Sequence, residues 1–184
     1  MRYWSKSTLS IYKYLLTMSK SIDKLIIENS KNSNSVMLQK YQTTHYQASK
    51  IIDLIDTKRK IVNLKVIVDD VVSRLNKSDR RIITLVFFDG VKSEVAAQLM
   101  GISLRTFFRR KLNALNQFTL ILHTLGYDEE FFESEYSYER WFMSVYHNCI
   151  SRDSNADEQL NKYLLRTMFN EITKVNSKFN VYLT

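Results

Sequence analysis

The sequence predicts an all-α fold, on three observations. The 184 residues contain no proline and only three glycines, Gly90, Gly101 and Gly126, where average usage would give about 9 and about 13. Apolar residues recur at helical intervals along most of the chain. The breaks between these runs are polar Asn, Ser and Asp clusters, not Gly/Pro turns. A sandwich or barrel needs many tight turns, and a linker-rich disordered chain needs Pro and Gly, so both are excluded. Hydrophobic content of 45% and charged content of 25% suit a globular chain.

The first helix is expected over residues 7–28, with Ile11, Leu15, Met18, Ile22, Leu25 and Ile26 on its apolar face and Ser7 as its cap. Residues 29–35, NSKNSNS, read as a polar loop. A long helix follows over residues 36–75. Its expected stripe is Leu38, Tyr41, His45, Ala48, Ile52, Ile55, Arg59, Val62, Val66 and Val72. The repeat is about 3.5 residues, as in helices that pack lengthwise. The first helix is the natural partner, in an antiparallel hairpin. Pairing between chains is the alternative, and a homodimer would follow from it. The run KVIVDDVV is β-branched, but its polar flanks and missing turn signals keep it helical.

Residues 76–118 carry the most information. Asn76 or Ser78 caps a helix through Phe88, and Asp89-Gly90 ends it. Ser93, with Glu94 beside it, opens a short helix over residues 94–100. Gly101 supplies a turn, and Ser103 caps a third helix to about Leu122. Two short helices joined by a Gly turn are the signature of a helix-turn-helix. Ala96 and Ala97 allow close approach, and Val95, Leu99 and Ile102 are expected to form the apolar knot. The third helix offers two core faces: Phe107, Ala114 and Phe118, or Phe108, Leu112 and Leu115. If the first is core, Phe108 and Leu112 need a cover, for which the C-terminal segment is the candidate.

This stretch resembles region 4 of sigma-70-type factors. The matching residues are Leu75, Arg81, Leu85, Phe87, Gly90, Glu94, Val95, Ala96, Met100, Gly101, Ile102, Ser103, Thr106, Phe107, Arg110, Ala114 and Leu115. The run SLRTFFRRKLNAL is closest to phage-encoded transcriptional regulators of the ArpU/RinA type, which also resemble the upstream helices. Lys111 departs from the pattern, which has an apolar residue there. The resemblance implies a DNA-binding transcription regulator acting on double-stranded DNA, with RNA polymerase as a candidate partner. An α-helix fits the major groove, and its N-terminal side chains reach base edges. Leu104, Arg105, Phe108 and Arg109 are the expected base readers. Lys77, Arg80, Arg81, Lys92, Ser103, Thr106, Arg110 and Lys111 are the expected phosphate contacts.

Charge agrees with a polyanionic partner. Residues 1–35 carry a balance of +4, residues 36–126 carry +8 and residues 127–184 carry −4. A basic body attracts nucleic acid, and an acidic tail follows it. Three regions are therefore expected: an N-terminal helical region over 1–75, a DNA-binding domain over 76–125 and an acidic-aromatic segment over 126–184. Residues 128–139 hold six acids among Phe131, Phe132, Tyr136 and Tyr138, next to Tyr127. This stretch could cover the basic body as a DNA mimic, dock RNA polymerase, or complete a core; the last is favoured. A helix is expected over residues 139–150, and a last one with Leu160, Leu164, Met168, Ile172 and Val175.

Other classes lack motifs. No phosphate-binding loop, zinc-protease or serine-hydrolase motif appears, and His45, His123 and His147 are scattered, so no enzyme, metal or cofactor is expected. Cys149 cannot form an intrachain disulfide and reads as inert. No run reaches a membrane span and no signal peptide is legible, so a cytoplasmic protein of a bacterium or bacteriophage is expected. Residues 1–75 lack the closely spaced aromatics in a basic helix that mark region 2 of sigma factors. Tyr3, Trp4, Tyr12 and Tyr14 suit packing instead. A divergent sigma factor and a small terminase-like packaging protein remain as alternatives.

Overall fold

A computed structural model describes residues 1–33 and 44–151. Among these the chain is helical and contains no strand. The helices are α1 (Arg2–Ser33), α2 (Thr44–Arg74), α3 (Lys77–Ile83), α4 (Ser93–Leu99), α5 (Leu104–Thr124), α6 (Glu129–Tyr136) and α7 (Arg140–Ser151), with a π turn over Thr84–Phe88. None is long and apolar enough to cross a membrane. The helix expected around residues 160–175 lies outside the described residues, as do Leu38 and Tyr41.

Helix α1 is longer than expected at both ends. Ser7 does not cap it, because its hydroxyl donates to the Tyr3 carbonyl at 2.7 Å, one turn back. Ser5, Thr8 and Ser10 donate to carbonyls four residues earlier in the same way. Hydroxyls satisfied by the preceding turn are compatible with a helix interior. At the other end the expected loop is helical through Ser33. Asn29 donates to the Leu25 carbonyl and Ser30 to that of Ile26, so polar side chains extend the helix instead of breaking it.

The chain divides into two compact units. The second spans Tyr14–Lys65 and contains most of α1 and the first two-thirds of α2. Leu15, Met18, Ile22, Leu54, Ile61 and Leu64 are buried in it. Lys58 pairs with Asp23 across the two helices at 2.6 Å. The expected stripe on α2 is on the wrong face. Ile52, Ile55, Val62 and Val66 are exposed, as is Ala48, and Val72 is its buried member. The buried row is Leu54, Ile61, Leu64, Val68, Val71 and Leu75. Arg59 explains the choice, since it would place a charge in the middle of the other row. Its guanidinium instead binds the Asp56 carboxylate at 2.7 and 3.0 Å.

The first unit joins Met1–Lys13 to the chain from Val66 onward. Its aromatic core explains the C-terminal segment. Trp4 stacks on Phe132 and Phe142 at 5.8 Å each and lies 4.2 Å from the Tyr146 ring. Phe132, Tyr136, Trp141, Phe142, Val145 and Cys149 are buried around it, while Tyr138 is exposed. Three of the six acids have local roles. Asp128 caps α6 by accepting from the Phe131 amide at 2.9 Å. Glu129 accepts from the Met1 amine at 2.9 Å and the Trp4 indole at 3.1 Å. Glu139 accepts from the Trp141 indole at 2.7 Å. The acidic-aromatic stretch therefore completes a core.

These contacts predict a pH response. The Met1 amine, with help from the Trp4 indole, holds the Glu129 carboxyl below its usual range. A depressed carboxylate stabilises the folded state above the unfolded pKa and loses that contribution as pH falls through the folded one. Trp4 fluorescence should change on acidification below the ordinary carboxylate range, because the shift of Glu129 is downward. Glu129→Gln should abolish that step, and an unchanged step in the variant would assign it elsewhere.

Candidate nucleic-acid interface

Residues 76–124 of the first unit carry α3, the π turn, α4 and α5 in succession. Asn76 caps α3: its Oδ1 accepts from the Asp79 amide at 2.9 Å, and its Nδ2 donates to the buried Asp79 carboxylate at 2.7 Å. The helix does not run as α to Phe88. It widens into the π turn, with the Asp89 amide donating to Thr84 at 2.9 Å. There Phe88 stacks on Tyr12 of α1 at 3.8 Å, and the Tyr12 hydroxyl donates to Asp69. Gly90 then takes a φ of 67°, and the Val91 amide closes on Leu85 at 2.8 Å. A positive φ favours glycine.

The short helix α4 starts at Ser93, one residue earlier than expected, and Lys92 occupies its cap position without a side-chain capping bond. Ala96 and Ala97 are its buried pair. The expected apolar knot is not formed as drawn: Val95 and Leu99 are exposed, and Ile102 is half-buried. In a helix this short the two alanines define the inner side, and residues 95 and 99, one turn apart, point away. Gly101 makes the turn with a φ of 64°.

Helix α5 is capped as expected. The Ser103 hydroxyl accepts from the Thr106 amide at 3.2 Å and donates to the Thr106 hydroxyl at 2.9 Å. Ser103→Ala should lower stability by about 1 kcal/mol in urea unfolding. A loss well under half of that would mean that the packing of Phe107 alone defines the start of the helix. Phe107, Ala114, Phe118 and Leu122 are fully buried, with Leu115 nearly so. The first of the two possible stripes is thus the core. Phe108 and Leu112 are 41% and 48% exposed, and part of the segment expected to cover them, residues 152–184, lies outside the described residues.

The four expected base readers share the outer side of α5: Leu104, Arg105, Phe108 and Arg109 are all exposed. Arg110 is exposed beside them, and Thr106 is half-buried. The helix contains no Asp or Glu. Lys111 is half-buried, with its ammonium 5.8 Å from the centre of the Phe87 ring. A lysine stem on apolar surface with its ammonium facing an aromatic ring suits a half-buried place.

The other expected phosphate contacts divide into two groups. Lys77 and Lys92 are exposed at the starts of α3 and α4. Arg80 and Arg81 have internal roles. Arg80 donates to the carbonyls of Val72 at 3.0 Å, Leu75 at 3.1 Å and also Ser73, closing the end of α2. A cation there complements the negative end of the helix dipole. Arg81 donates to the Leu99 carbonyl at 3.2 Å, tying α3 to the last residue of α4. Leu112 was missed as a surface residue. The signal was the row 104, 108, 112, in which each residue lies one turn beyond the last.

No family model, curated protein or solved structure matches the chain.

Proposed function

We propose that the protein binds double-stranded DNA in a sequence-specific manner and regulates transcription, with α5 as the recognition helix. The observation that carries this reading is the two-sided character of α5. Its inner face is fully buried, and its outer face presents Arg105, Arg109 and Arg110 with no acid on the helix. A helix about 10–12 Å across with its side chains fits a major groove about 12 Å wide. The resemblance to sigma region 4 and ArpU/RinA-type regulators supports the regulatory role.

Selection from a random-sequence duplex pool tests the reading. Enrichment of a defined motif is expected, with affinity that falls as salt rises. A pool that stays random, with binding no stronger to duplex than to an uncharged polymer, overturns it. Lys92→Ala should weaken binding evenly across sequences and reduce the salt slope by about one. Retention of core RNA polymerase in a pull-down would move the reading towards a divergent sigma factor.

A further inference from the structure

We infer that α5 reads thymine methyl groups as well as guanines, so that its target combines both bases within one half-site. The inference rests on the DNA-binding reading above and specifies its substrate. The outer side of α5 carries two rows. Leu104, Phe108 and Leu112 form an apolar row, exposed by 39%, 41% and 48%. Arg105 and Arg109 form a cationic row one residue further round the helix. An apolar row left in water on a helix with three exposed arginines suits a partner that is polyanionic yet has apolar points. The major groove fits this description. Guanine O6 and N7 accept from a guanidinium, and the thymine C5-methyl is the apolar group on the groove floor. Phe108 also stands edge-on to the buried Phe107 ring at 6.4 Å, which fixes its direction. Residues four apart rise about 6 Å along a helix. Base pairs rise about 3.4 Å. Leu104 and Phe108 therefore reach bases roughly two steps apart.

The test is a pair of selections with the full chain, one from a random duplex pool made with thymine and one from a pool made with uracil, which lacks the methyl. The enriched thymine duplex is then compared with its uracil copy. Binding should fall about four-fold for each methyl contacted and on the order of ten-fold for two. The Leu104→Ala/Phe108→Ala variant, shown to be folded by its circular dichroism, should bind both copies equally. Leu120→Ala, an exposed site outside the row, should retain the full difference. Enrichment of one motif with equal binding of both copies overturns the thymine inference and leaves the DNA reading intact. A thymine preference that survives in the double variant overturns the assignment to Leu104 and Phe108. Failure of both pools to enrich overturns the DNA-binding reading itself.

Discussion

Alanine at both Arg105 and Arg109 is expected to flatten the sequence preference of the protein while leaving it folded. Each guanidinium that pairs with a guanine is worth about 1–3 kcal/mol of discrimination. Loss of two should reduce the ratio of specific to non-specific binding by at least roughly 30-fold. Non-specific affinity should fall far less, because Lys77, Lys92 and Arg110 remain exposed. Both arginines are exposed, so urea unfolding should move by under about 0.5 kcal/mol. Competition between the selected duplex and a scrambled one measures the ratio. An unchanged ratio would exclude these side chains as readers.

The second large effect is on stability. Trp4→Ala removes the ring that stacks on Phe132 and Phe142 and lies against Tyr146. Removal of a buried Trp costs about 3–5 kcal/mol. Total stabilities are about 5–15 kcal/mol, so the variant should be close to unfolding. Tyr138→Ala, at a residue 90% exposed in the same segment, should change stability by under about 0.5 kcal/mol. Urea denaturation separates the two. Equal, small effects would mean that the N-terminal turn and the C-terminal helices do not share a core.

The sequence was most readable where one local rule acted alone. Ser103 marked the start of α5, whereas its two apolar rows were both open until the burial of Phe107, Ala114 and Phe118 decided for the first. On α2 two rules competed. Residues 52, 55, 59, 62 and 66 repeat at heptad spacing, and so do residues 54, 57, 61, 64, 68, 71 and 75. Periodicity ranks them equally, and the charge of Arg59 decides for the second. Val95 and Leu99 were misplaced because apolar character was given more weight than the small size of Ala96 and Ala97.

Long-range contacts were not legible. Nothing local in Trp4 announces Phe132 or Phe142, and nothing in Glu129 announces the Met1 amine. Arg80 and Arg81 look like surface cations in sequence. Only the carbonyls left open at the ends of α2 and α4 reveal their partners.

On the proposed function, the outer side of α5 enters the DNA groove. Amide chemical-shift mapping on the selected duplex tests it most directly. The largest changes are predicted at Leu104, Arg105, Phe108 and Arg109, with smaller ones at Lys77 and Lys92. Changes concentrated on the exposed row of α2 or on α7, with α5 unmoved, would contradict it.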